Sequence, residues 1–355
     1  MRSYFVVMLL LLASTAQAFS QSTFPFSSFA VEEIDNSLFK GDRHWRGADG
    51  AATVNLGNGK VLWLFSDTFV DKTGSGTRAN AGLIRNSIGI QDGTDMAHSK
   101  MSFPGVGKDN ASDSFFKISG PNWLWTGHGA IIRRQLVIFL MEVATATDGL
   151  GFQVVGWHIA LIQNAQEIPE NWKIAYISGV DTHGVIVGSS AVLSDEDFLY
   201  AYGVKEPGSH EVFLLKFEIE KLLSQDVKEF EWWDGQQWLP DSELADLPAP
   251  LFVGQTEFSV HYQSDIQQYM QVQTYGFGQA EIGIRTASKP EGPWSESTMI
   301  YKPVLRETDL MYSANAHPEL QSDGLIITYN VNNVDFSELV RNENLYFPKI
   351  IKFKF

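Results

Sequence analysis

The sequence predicts an all-β chain folded as a five-bladed β-propeller, a single domain from residue 19 to 355, and three observations lead there. The composition is strand-rich, with 13% aromatic residues, only 19% charged residues and glycines spread over the whole length. A pair of strand-like segments recurs five times. Turn residues separate the members of most pairs.

The first pair runs from Ala48 to Ala52 and from Val61 to Asp67, and the second from Gly127 to Ile131 and from Leu136 to Glu142. The third spans Ser189 to Val192 and Phe198 to Val204, the fourth Glu257 to Val260 and Tyr269 to Tyr275. The fifth spans Ala314 to His317 and Leu325 to Val331. Asn58-Gly59, Ser194-Asp195 and Asp323-Gly324 supply the backbone freedom that tight hairpins need. A spacing of roughly 55 to 75 residues leaves room for two further strands per unit, and four-stranded units repeated radially make a propeller. The alternating run Lys349 to Phe355 and the segment Phe29 to Phe39 are the candidates for closing the ring. One short helical pattern, Glu218 to Gln225, falls at a blade boundary. A β-sandwich with accidentally similar hairpins is the competing fold.

Residues 1–18 read as a secretory signal peptide: Arg2, an apolar run from Tyr4 to Ala13, and the small-residue ending Ala16-Gln17-Ala18. That run is about ten residues, against the roughly 20 needed to span a bilayer, so a secreted or periplasmic protein without a membrane anchor is expected. The chain has no cysteine, which removes disulfides, thiol nucleophiles and thiolate metal sites. A net charge of −16 disfavours nucleic acid and anionic membranes as partners, since both require clustered cations. No phosphate-cradling loop, HExxH helix, EF-hand spacing or Gly-x-Ser-x-Gly elbow occurs. No cofactor is expected, although a calcium ion held by backbone and carboxylate oxygens in the channel stays open.

In a propeller the innermost strands line a central channel, so equivalent positions of successive repeats should face one another. Those positions carry Asp49, His128, Ser189, Glu257 and Asn315, with Asp67 and Glu142 at the ends of their second strands. Converging carboxylates repel, and their pKa values are pushed apart, which lets one site hold both a proton donor and a base. Glycoside hydrolysis commonly uses such a pair flanking the scissile bond. Asp49 and Asp67 fit because the hairpin between them returns the chain beside its start. Trp125, Tyr275 and His317 could add aromatic and hydrogen-bonding surface, with Arg46, Arg85, Asn86, His128, Glu142 and Asn315 as further sugar-binding candidates. Plainer roles compete: Asp49 and Asp67 as turn carboxylates, His128 as a structural donor, Glu257 and Glu142 as buried partners of arginine. The aromatic run Glu231-Trp232-Trp233-Asp234-Gly235 with Trp238 suggests a sugar platform, but reads better as an outer strand and turn.

The segment Gly47-Ala48-Asp49-Gly50-Ala51 followed by Val61-Leu62-Trp63-Leu64-Phe65-Ser66-Asp67-Thr68-Phe69 resembles a group of secreted bacterial propellers catalogued as domains of unknown function. Arg85-Asn86-Ser87, Trp125-Thr126-Gly127-His128-Gly129, Thr256-Glu257-Phe258-Ser259-Val260, Pro290-Glu291-Gly292-Pro293-Trp294 and His317-Pro318-Glu319 extend the resemblance over almost the whole chain. It implies a five-bladed glycosidase, and one related branch is the endo-acting D-arabinan hydrolases of glycoside hydrolase family 183. In that branch the resemblance implies two catalytic aspartates, one on each strand of the first hairpin, matching Asp49 and Asp67. The substrate does not carry over.

The expectation is therefore a glycoside hydrolase acting on a polysaccharide or oligosaccharide. Asp67 is taken as the general acid, Asp49 as base or nucleophile, and Glu257 as a residue that modulates their pKa or binds a sugar hydroxyl. A non-catalytic, lectin-like propeller is the alternative, and a lyase or phosphorylase a third.

Overall fold

The computed structural model describes residues 26, 28–107, 113–276 and 278–355, so the predicted signal peptide at 1–18 lies outside the described residues. Five antiparallel sheets follow one another around a ring, one for each predicted repeat. Blade 1 is built from Trp45–Gly57, Lys60–Val70, Ser87–Asp92 and Lys100–Ser102, and blade 2 from Trp123–Ile132, Gln135–Thr145, Phe152–Ile162 and Ile174–Ser178. Blade 3 contains Val185–Ser194, Phe198–Lys205, Glu211–Glu218, Glu231–Trp233 and Trp238–Pro240. Blade 4 contains Phe258–Gln263, Gln268–Tyr275, Glu281–Ala287 and Thr298–Tyr301.

Blade 5 contains Asp309–His317, Leu325–Asn333 and Lys349–Lys354, and its fourth strand is the N-terminal Ala30–Ile34. Ala30 pairs with Lys354 and Ile34 with Ile350, so the two ends of the chain share one sheet. The first and last stretches of the chain thereby close the ring within one blade. The short helix is Ile219–Leu223, and it sits inside blade 3, between its third and fourth strands, rather than at a blade boundary. A second helix, Phe336–Arg341, links two strands of blade 5, its Asp335 side chain capping the Ser337 amide.

Strand alternation gives each blade two apolar faces, and every seam between blades has its own buried cluster. Trp63 and Phe65 of blade 1 pack with Ile326 and Ile350 of blade 5, while Leu62 and Leu64 on the opposite face meet Leu136, Ile138 and Leu140 of blade 2. Phe139 of blade 2 joins Phe213 and Phe217 of blade 3. At that seam Gly127 is obligatory in shape: a Cβ there would lie 2.4 Å from the Gly188 carbonyl oxygen of the next inner strand. Among the described residues no helix is long and apolar enough to cross a membrane.

Candidate active site

The inner strand of blade 1 does not run straight. Pairing with the second strand skips between Ala48, Gly50 and Ala52, and Gly47, Gly50 and Ala51 have φ of 109°, 89° and 73°. A Cβ on Gly47 would meet the Tyr346 carbonyl oxygen at 2.4 Å, so only glycine lets the chain pass there. Bulges of this kind re-aim side chains, and this one aims Asp49 at the mouth of the channel.

The mouth is assembled by blades 5 and 1 together. Tyr312 and Tyr346 both donate their phenolic O–H to Asp49 Oδ2, at 2.8 and 2.9 Å, while Asp49 Oδ1 is buried without a partner. Ser313, itself at φ 55°, donates its hydroxyl to the Gly50 carbonyl, and Asn330 donates to the Ala48 carbonyl. These bonds fix the bulge from the neighbouring blade. Burial, and then the charges of Asp67 and Glu257, push the Asp49 carboxyl well above the ordinary range, against the two tyrosine bonds. Glu257 is pushed up to about 7 by burial, with the Ser313 hydroxyl acting in the other direction.

Asp67 has a different setting. Three residue steps from Phe65 to Thr68 oppose two steps from Ala48 to Gly50, and the extra residue turns Asp67 toward blade 2. There Trp125 Nε1 donates to Asp67 Oδ1 at 3.0 Å, and the Arg85 guanidinium lies 3.4 Å from both carboxylate oxygens. Arg85 also covers the Trp123 ring at 4.3 Å. Burial raises the Asp67 pKa, but Trp125 and Arg85 both favour its anion.

Glu257 and Asn315 line the small channel cavity with Gly50, Thr126 and Ser189. The other predicted residues separate from this group. Glu142 accepts from the Asn122 amide and pairs with His158 Nε2 at 2.7 Å, and both partners hold it below the usual carboxylate range. It does not join the acidic cluster. Arg46 is buried in an ion pair with Glu343, and Asn86 bonds the backbone of Phe116 and Leu124. Asn315 spends its amide on Gly50 and Ser313, and the Tyr275 hydroxyl accepts from Arg285. His317 is fully buried between the hydroxyls of Thr53 and Thr328, at 2.7 Å each, deep in the channel and not at its mouth. His128 and His261 accompany it there, and burial pushes all three down, to about 4, 4 and 3 for His128, His261 and His317.

Sequence reasoning missed Tyr312, Tyr346 and Arg78. Arg78 is buried and donates to the carbonyls of Arg46, Leu339 and Leu345, so it fastens the loop that carries Tyr346. Tyr312 stands three residues before the ring position Asn315, and that spacing was the one legible cue. Among the described residues no group of three or more His, Asp or Glu side chains is placed to hold a metal ion.

Several solved structures share this architecture. A Bacteroides ovatus protein provisionally described as a hydrolase superposes with a TM-score of 0.73 at 18% identity, covering 92% of this chain and 90% of its own. An α-L-arabinofuranosidase from Podospora anserina, solved with cellotriose, gives 0.50 at 10% identity over 91% and 94% of the two chains. A β-xylosidase, RS223, gives 0.50 at 13% identity over 90% and 94%. At these identities the likeness establishes the five-bladed propeller fold alone. No curated protein sequence matches. The family model described as "Domain of unknown function (DUF5005)" matches residues 33–354, and the chain belongs to that family.

Proposed function

We propose that this protein is a glycoside hydrolase acting outside the cytoplasm on a polysaccharide or oligosaccharide, with Asp49 and Asp67 as its carboxyl pair. The observation that carries the reading is the state of Asp49: one oxygen accepts two phenolic hydrogen bonds and the other, buried, has no partner. A protonated carboxyl in that arrangement accepts through Oδ2 and keeps an Oδ1–H free to donate to a leaving glycosidic oxygen. Asp67, beside Trp125 and Arg85, loses its proton first and serves as base or nucleophile. Glu257, once ionised, raises the Asp49 pKa further through its charge. These roles reverse the order expected from sequence, because Arg85 stands beside Asp67 and two neutral tyrosines stand beside Asp49. The propeller fold shared with an arabinofuranosidase and a xylosidase supports the reaction class.

The test is release of reducing ends from a panel of plant and bacterial glycans that includes arabinan and xylan. Turnover abolished by both Asp49→Asn and Asp67→Asn supports the proposal. Binding without turnover, only modestly weakened by either substitution, would instead identify a lectin-like propeller.

A further inference from the structure

The aromatic run at residues 231–238 has no part in the channel mouth, yet it is not simply core. Trp232 is fully buried and donates to Asp241, but Trp233 and Trp238 are only partly buried and face each other across the outer hairpin of blade 3, ring centroids 5.4 Å apart. Tyr200 lies 5.7 Å from Trp238. On blade 4, Tyr262 and Tyr269 are cross-strand partners 5.3 Å apart, and Tyr262 is 51% exposed. Tyr200, Trp233, Trp238 and Tyr269 all pack on the same buried cluster between blades 3 and 4, so the rings form one surface.

Polar groups border it. Tyr200 donates its hydroxyl to Asp195 at 2.8 Å, and Glu291, within electrostatic reach of Tyr200 and Tyr269, has a buried Oε2 without a partner. A cation on this surface, Lys216 over the Trp238 ring, is paired with Glu231 at 3.0 Å. Tyr200 follows the hairpin between Ser194 and Phe198, and Tyr262 and Tyr269 flank the turn between Gln263 and Gln268. Asp49 and Asp67 sit at the opposite ends of the corresponding strands of blade 1, whose hairpin turn is Asn58-Gly59. The aromatic surface is therefore on the other side of the ring from the carboxyl pair.

We propose that Tyr200, Trp233, Trp238, Tyr262 and Tyr269 form a second carbohydrate-binding surface, for an uncharged polysaccharide chain, separate from the channel mouth. Flat aromatic faces stack on the apolar faces of sugar rings, and bordering carboxylates accept their hydroxyls. The surplus of Asp and Glu disfavours uronate-rich or sulfated chains. The proposal rests on the glycoside hydrolase reading only for the class of ligand.

Affinity electrophoresis of the intact protein through gels containing soluble arabinan, xylan or polygalacturonate tests it. The parent and Asp67→Asn should both be retarded by at least one uncharged polysaccharide and not by polygalacturonate. Tyr262→Ser and Trp238→Ala should weaken that retention on the order of tenfold, with turnover of short oligosaccharides unchanged. Tyr262 is exposed enough that its variant should melt as the parent does, which keeps the test decisive if Trp238→Ala is poorly folded. A parent that runs free in every uncharged gel, retention equal in both aromatic variants, or concentration-dependent self-association without glycan retention would overturn the proposal. Retention without any release of reducing ends would remove the hydrolase reading and leave this surface standing.

Discussion

The central channel buries ionisable groups at two depths, and comparing them separates structural neutrality from chemical readiness. At the mouth, burial holds protons on Asp49 and Glu257; on the inner strands of blades 2, 4 and 5 it strips them from His128, His261 and His317. The cause is shared, since a dry channel disfavours either charged form. What differs is bonding. Both ring nitrogens of His317 are taken up by threonine hydroxyls, so its neutrality serves cohesion between blades 1 and 5. Asp49 is bonded on one oxygen and bare on the other, so its neutrality leaves a proton to give.

The largest effect should come from removing that proton. Asp49→Asn should lower kcat/KM on natural glycans by about 10²–10⁴, yet largely spare aryl glycosides whose leaving groups need little protonation. Asp67→Asn should depress both substrate classes. Equal losses on both classes in Asp49→Asn would break the mouth's assignment as acid.

Next in size are the tyrosines. Tyr346→Phe removes a hydrogen bond to the ionised form of Asp49, a type worth about 1.5–3 kcal/mol. The Asp49 pKa should therefore rise further, moving the alkaline limb of the pH–rate profile upward by on the order of one unit. A limb that stays in place would detach Asp49 from it. In the interior, Thr328→Val should cost about 1–3 kcal/mol in urea unfolding by orphaning His317 Nε2, with kcat unchanged. A loss of kcat without loss of stability would erase the distinction between the two depths.

The fold was largely legible because hairpin repeats are local: turn residues and alternating apolar segments mark each blade without knowledge of the others. That the Asp49 and Asp67 carboxyls come together was legible for the same reason, because they lie on one hairpin. Glu142 was misplaced because counting along strands cannot see a bulge, and the extra residue between Phe65 and Thr68 turns Asp67 but has no counterpart in the pairing of Glu142 with Leu124. Tyr346 and Arg78 were hidden for a different reason. Each reaches blade 1's inner strand from a loop, at separations of 297 and 32 residues, and no local pattern announces such a contact.

The smallest expected effect is on stability against pH, where the two depths pull in opposite directions. Glu257 has a folded pKa of about 7 against an ordinary 4.5, so the native state retains a proton that the unfolded chain releases. Its contribution is complete below 4.5 and lost as pH rises through 7, and Asp49 acts in the same direction. The histidines are depressed from 6.5, so their contribution is complete above 6.5 and lost as pH falls toward 4. Between those values the two sets oppose each other; above 6.5 only the carboxyls still change. Urea unfolding at constant ionic strength should therefore show stability declining as pH rises from 6.5 to 8. Glu257→Gln should flatten that decline by about 1 kcal/mol per pH unit at pH 6.5, diminishing toward zero by pH 8, because the amide has no proton to lose. A parent whose stability rises across this window, or a Glu257→Gln variant with the parent's slope, would show that Glu257 enters the folded state already ionised and that the mouth does not hold its protons as the interior sheds them.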